Sequence, residues 1–270
     1  MSNNNAVLIE RKGKVAYIIF NRPDKLNALN QDIFDGFDAA LEELGADDSI
    51  SVVIIKGNGR AFSVGYDVGS DNPERQKLKS VASDRDRLEA NVRRWLAVWD
   101  FPKPVIAQVH GYALAGGTQL LACCDIVVTA EDAVFGFPSL PLGGGYVGPM
   151  WTLVVGAQRS KFMDFIAGSR ISGKQAAEWG IATIAVPADQ LEGQTLEIAR
   201  KIAKTPLDVL TLKKKAINRV IEAQHFRNLV LNCAEWDAIA HQLDGVKRTV
   251  EKINEVGLKG AVEWFNNQEV

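Results

Sequence analysis

Two glycine-bearing stretches of this 270-residue chain have the residue types and spacing to stabilise a negative oxygen. The first is "HGYALAGGTQLLACCD", residues 110–125, in which Gly116 and Gly117 stand between the apolar run "KPVIAQV" and residues spaced as on a helix. A helix that starts directly after a strand presents unpaired, partly positive backbone N–H groups, and glycine lets an oxygen approach them with no Cβ in the way. The second stretch, "GRAFSVGYDV", residues 59–68, repeats the pattern: a strand ending at Lys56, a glycine-bearing loop, then Gly65, Tyr66 and Asp67. One N–H from each loop, aimed at a shared carbonyl oxygen, would stabilise an enolate or a tetrahedral oxyanion. Close packing of a helix on a strand would ask for the same glycines.

Other reactive side chains carry weaker signals. His110, at the strand end before the glycines, could in principle serve as a general base, but a hydrogen-bonded histidine near the core is the favoured reading. Cys123 and Cys124 fall on the apolar helix and read as small buried hydrophobes. "GGGYVG" satisfies G-x-G-x-x-G at Gly143, Gly145 and Gly148, with Asp164 downstream at about the spacing of a dinucleotide site. Pro138 and Pro141 spoil a preceding central strand and Pro149 follows at once, so NAD binding is not expected. The "KKK" at 213–215 reads as a solvated helical face.

The elements that must position these groups alternate. β-rich runs at Val15–Phe20, 52–56, Val105–Val109 and 126–129 are separated by helical patterns, which predicts an α/β architecture with covered strands. Phe34, Phe37, Leu41 and Leu44 share one helix face; Leu88, Val92, Trp95, Leu96 and Trp99 share another and are expected in the core. Residues 70–87, polar and containing Pro73, are expected to form a mobile connection. Beyond residue 157 the β signal nearly vanishes, while Ser172 with Gln175 makes a capping box and Thr205 with Pro206 and Asp208 another helix start. The expected division is a core domain, 1–195, and a helical region, 196–270, whose apolar Leu229, Leu231, Trp236, Ile239, Leu243, Trp264 and Phe265 must pack on the core or on a neighbouring subunit.

Bulk properties exclude several functions. With 47% apolar residues a chain of this length buries roughly three quarters of its unfolded surface. A formal charge of −2 offers no global attraction to nucleic acid or to an anionic membrane. Three cysteines make neither a disulfide framework nor a metal-ligand spacing, so no metal is expected and a reducing cytoplasm fits. No stretch of 18 apolar residues and no signal-peptide pattern occurs, so no membrane association is expected.

Five segments in order, "NRPDKLNAL", "GRAFSVGYDV", "PKPVIAQVHGYALAGGTQLLACCDIVV", "AVFGFP" and "GSRISGKQAAEWGI", resemble the enoyl-CoA hydratase/isomerase, or crotonase, superfamily over nearly the whole chain. The resemblance implies a repeated ββα core with a helical C-terminal region, assembly as a homotrimer or dimer of trimers, and an acyl-CoA thioester substrate. It implies no separate cofactor, since coenzyme A belongs to the substrate. The backbone N–H groups of Tyr66 and Gly116 match the two oxyanion-hole donors, and Tyr66 stands where the family usually has a small residue, so its ring is expected to narrow the pocket. Lys25, Leu26, Val64, Val68 and Leu114 match positions lining the CoA and acyl groove, with Lys25 a candidate for the phosphates or a solvated lysine.

The pattern breaks at the acids. Hydratases of the family use two glutamates, and Gln119 and Ser139 occupy those positions here. Neither side chain exchanges a proton as a carboxylate does near neutral pH, which argues against efficient ordinary hydration and leaves both as water-positioning groups. Asp67, Tyr146, Asp84 and Asp86 are the candidates for acid–base work from other loops, against a turn or cap role for Asp67 and simple packing for Tyr146. Double-bond isomerisation, hydrolysis of a carbon–carbon bond, or acyl-CoA binding without turnover are the alternatives.

Overall fold

The computed structural model describes residues 5–68 and 80–268. The four apolar runs become β2 (Val15–Phe20), β3 (Val52–Gly57), β4 (Val105–Val109) and β6 (Ile126–Ala130), adjacent and parallel in one sheet of order β1-β2-β3-β4-β6-β9. They read as continuous apolar runs because both faces of this sheet are covered. β1 (Val7–Lys12) adds an antiparallel edge and β9 (Ile184–Val186) a parallel one. A second sheet, β5 (Tyr112–Leu114), β7 (Val134–Gly136) and β8 (Arg170–Ser172), has only three residues per strand. β8 and β9 correct the expectation that strands end near residue 157; three-residue strands are too short to show a period of two.

Helix α1 (Gln31–Ala46) is capped by Asn30, which accepts from the Ile33 amide, and buries Phe34, Phe37, Leu41 and Leu44 as predicted. α2 (Val81–Asp100) buries Leu88, Val92, Trp95 and Leu96, with Trp99 partly covered. It starts earlier than expected: Ser80 and Ser83 cap each other, so residues 81–87 are helix rather than loop. The rest of that connection, 69–79, and its expected mobility lie outside the described residues. α3 (Gly116–Cys123) follows the glycine turn, and α4 (Gly148–Val155), α5 (Ala157–Phe165) and α6 (Gly173–Trp179) follow in turn. The Ser172–Gln175 box opens α6 as read.

The C-terminal region comprises α7 (Leu191–Ile202), α8 (Leu207–Glu222), α9 (Phe226–Ala240) and α10 (Asp244–Asn266). α8 begins beside Pro206 without a side-chain cap, so Thr205 does not cap it. Lys214 overturns the reading of "KKK" as solvated: it is buried, its ammonium donating to the Val98 and Lys103 carbonyls and pairing with Asp125 at 2.8 Å. Lys213 and Lys215, on the other side of the turn, are exposed. Leu231 packs on the main core and Phe265 on a small cluster of Leu140, Ile253 and Ala261, whereas Leu229, Trp236, Ile239 and Leu243 are exposed.

Candidate active site

β5 brings the two glycine loops together. The Ser63 amide donates to the Tyr112 carbonyl (3.0 Å), the Leu114 amide donates to the Ser63 carbonyl (2.9 Å), and the Ala115 amide donates to Gly136 of β7 (2.9 Å). On its other side the Ser63 loop is clamped to residues 26–29: Val64 N–H donates to Leu26, Leu29 N–H to Gly65, and Asp67 N–H to Leu29. Ala115 then turns the chain into α3 at φ 46°, ψ −120°, a left-handed conformation that alanine adopts only when its surroundings impose it. A Cβ on Gly65 would lie 2.8 Å from the Gly116 nitrogen, and one on Gly117 would lie 2.8 Å from the Ser63 carbonyl oxygen. These glycines are thus in close packing, and that packing puts the two loops side by side.

The amides of Tyr66 and Gly116 remain unspent, as does that of Gly117 one residue further into α3. Among the described residues none of these N–H groups donates to a protein acceptor, although the amides of Gly65, Asp67 and Ala115 around them all do. Gly116 is the first residue of α3, where no intrahelical acceptor exists.

The Tyr66 ring lies over Gly116, on the side a Cβ would occupy, 2.5 Å from that position at Cε2. Its hydroxyl donates to Gln119 Oε1 (2.7 Å) and accepts from Trp95 Nε1 (3.1 Å). Gln119, fully buried, spends Nε2 on the Tyr146 carbonyl (2.6 Å), and the Tyr146 hydroxyl donates to Leu88 O (2.8 Å). Burial pushes the Tyr66 hydroxyl up to about 12 and the Tyr146 hydroxyl well above its ordinary value. The network is thus neutral and closed near neutral pH.

Ser139 does not join it. Its hydroxyl accepts from Arg170 Nη2 (2.9 Å), and Arg170 is further held by the Phe137 and Ser169 carbonyls, so Ser139 and Gln119 share no hydrogen bond. Lys25 is exposed on a single turn, while Leu26, Val64, Val68 and Leu114 are half-buried around the Tyr66 loop and β5.

The remaining candidates have other partners. Asp67 receives a hydrogen bond from Arg22 (3.2 Å), Asp86 pairs with Arg85, and His110 Nε2 meets the Gly59 carbonyl (2.9 Å). Burial pushes the Cys123 and Cys124 thiols up, which leaves them inert. The "GGGYVG" segment is an irregular loop running into α4; its Gly143 lies against the Asp237 carboxylate and Gly148 against Asp164. Of the candidates, Asp84 lies in a cluster beside Tyr146 whose other members, His241, Asp237 and Arg87, sequence reading missed: Asp84 touches His241 and Arg87, and Asp237 accepts from the Gly144 amide. Its only signal is spacing: Asp84 extends the Leu88–Val92 stripe by one turn, and Asp237 and His241 are four residues apart. Among the described residues no group of three His, Cys, Asp or Glu side chains is placed to hold a metal ion, and no helix is long and apolar enough to cross a membrane.

An α/β fold with a repeated ββα core and a helical C-terminal region, carrying unspent amides in two adjoining loops, defines the class of molecule. The enoyl-CoA hydratase/isomerase family model matches residues 10–256, and the chain belongs to that family. It is 34% identical over 219 residues to the short-chain-enoyl-CoA hydratase of Clostridium acetobutylicum, covering 80% of this chain and 82% of that one. Over 223 residues it is 30% identical to the hydroxycinnamoyl-CoA hydratase-lyase of Pseudomonas fluorescens, covering 80% and 79%. The crystal structure of an enoyl-CoA hydratase/isomerase from Xanthobacter autotrophicus Py2 superposes with a TM-score of 0.90 at 31% identity, covering 96% of this chain and 97% of that one.

Proposed function

We propose that this member of the family holds an acyl-CoA thioester with its carbonyl oxygen between the Tyr66 and Gly116 N–H groups and stabilises the enolate or oxyanion formed there. The observation that carries this reading is the pair of unspent amides in loops that touch at Gly65 and Gly116. Each such donor is worth about 10²–10³ in rate where it has been removed from other oxyanion holes. Lys25, Leu26, Val64, Val68 and Leu114 line the CoA and acyl groove in this reading, and no separate cofactor is called for.

The proton transfers use groups other than a glutamate pair. Gln119 already has a partner for its oxygen and one for its nitrogen, and Ser139 is bound to Arg170, so neither supplies the proton that ordinary hydration needs at Cα. Double-bond isomerisation and carbon–carbon bond hydrolysis are the alternative reactions within the family, and a non-catalytic acyl-CoA-binding homologue is the alternative from another class. The exposed apolar residues of α8 and α9 support a homotrimer or dimer of trimers, in which region 196–270 serves packing and assembly with the 1–195 core domain. The three unpaired cysteines support a cytoplasmic home.

The test is turnover of crotonyl-CoA beside a panel of β-oxo and 3-enoyl thioesters. Little hydration with turnover elsewhere in the panel is expected, and hydration of crotonyl-CoA should appear when Gln119→Glu and Ser139→Glu are combined. Binding without any turnover favours the non-catalytic homologue; failure to bind any thioester removes the reading altogether.

A further inference from the structure

We propose that Tyr66 sets the length of the acyl group, its ring filling the space beside Gln119 into which a longer chain would run, so that the site takes short thioesters, acetyl to butyryl. This deepens, and rests on, the placement of the thioester carbonyl at the Tyr66 and Gly116 amides. In that placement the acyl chain would leave the carbonyl past the face of Gly116, and the structure covers that face with Tyr66 Cε2 and Cδ2. The ring is partly buried and held by four neighbours. It stacks on Tyr146 with centroids 5.6 Å apart, meets Phe34 at 6.3 Å, and has its hydroxyl held between Trp95 and Gln119.

Those walls are themselves packed and hydrogen-bonded. Trp95 and Gln119 are fully buried, and Tyr146 is 6% exposed with its own hydroxyl bound to α2. Swinging the ring aside would break the hydroxyl's hydrogen bonds with Gln119, Trp95 and Tyr146 and leave Trp95 Nε1 and Gln119 Oε1 without partners. A long chain therefore has to displace a packed, hydrogen-bonded ring, whereas a short one ends before it.

Calorimetric binding of acetyl-, butyryl- and octanoyl-CoA, which are saturated and unreactive towards hydration, reads this directly. The wild type should bind acetyl- and butyryl-CoA comparably and octanoyl-CoA at least tenfold more weakly. Tyr66→Ala should reverse the order, each newly buried methylene tightening binding about fourfold. Tyr66→Phe, which keeps the ring, should keep the wild-type order. If Tyr66→Ala does not fold, Tyr66→Leu reads the same reversal on a smaller scale. Equal binding of octanoyl- and acetyl-CoA by the wild type, or an unchanged order in a folded Tyr66→Ala or Tyr66→Leu protein, overturns the proposal. Failure of the underlying placement looks different: no thioester of any length then binds better than free coenzyme A.

Discussion

Two buried polar networks meet at the loop 143–147, and they are built from opposite materials. The one beside Gly116 is neutral: Trp95, Tyr66, Gln119 and Tyr146 pass hydrogen bonds in one direction and end on a carbonyl. The other is built from titratable and charged side chains: His241 lies between Asp84 and Asp237, with Arg87 on Asp84. Burial pushes Asp84 up, but the hydrogen bonds from His241 and Arg87 outweigh it and hold the carboxyl below its usual range. Asp237 is instead raised, chiefly by burial. The charged network fastens α2 to α9 and, through the Gly144 amide, to the loop that carries Tyr146. Fixed charge is spent on holding helices together, and the candidate site is left with dipoles.

That contrast breaks first at Asp84. Asp84→Ala strands His241 and Arg87 beside Asp237, and should cost about 3–5 kcal/mol in urea unfolding at pH 7. Because the folded-state pKa of Asp84 is depressed, its contribution exists above the ordinary value of 3.8 and is lost as pH falls through the folded value, so the gap to wild type should close in acid. A constant gap down to pH 2 would show that packing, not charge, is what Asp84 supplies.

Gln119→Leu tests the neutral side. It leaves the Tyr66 hydroxyl and the Tyr146 carbonyl without their partner, at about 1–3 kcal/mol for each group, with no dependence on pH between 5 and 9. Thermal melts across that range check both statements. Tyr66→Phe leaves Trp95 Nε1 and Gln119 Oε1 without partners, should cost a similar amount at neutral pH, and sharpens the comparison in alkali. The Tyr66 pKa is raised from 10.0 to about 12, so its stabilisation is complete below pH 10 and lost as pH rises through about 12. The variant should show a shallower alkaline loss than wild type; an identical slope would place that loss elsewhere. Asp86→Asn, at an exposed pair with Arg85, should leave the unfolding midpoint unchanged.

Legibility in the sequence followed the length of each signal. β2, β3, β4 and β6 were readable because each is a continuous apolar run, and Gly116 and Gly117 were readable as a strand-to-helix junction. β5, β7 and β8 were not, although β5 is the element that joins the two loops; three residues paired through their backbone leave no periodic trace. Tyr66 was legible as an intrusion at a position the resemblance expects to be small. Its partners Trp95 and Gln119 were legible only as a core aromatic and a missing acid, because their meeting depends on how α2 and α3 pack. Lys214 looked like its two neighbours until the docking of α8 chose which of the three faces inward.

That lysine also carries a consequence for how the chain comes into being. Its ammonium binds carbonyls 116 and 111 residues upstream, and the carboxylate of Asp125. On a ribosome adding about 5–20 residues per second, Asp125 emerges several seconds before its counter-ion. During that interval the nascent sheet presents a carboxylate awaiting its cation, and the arrival of α8 closes it like a latch on a finished box.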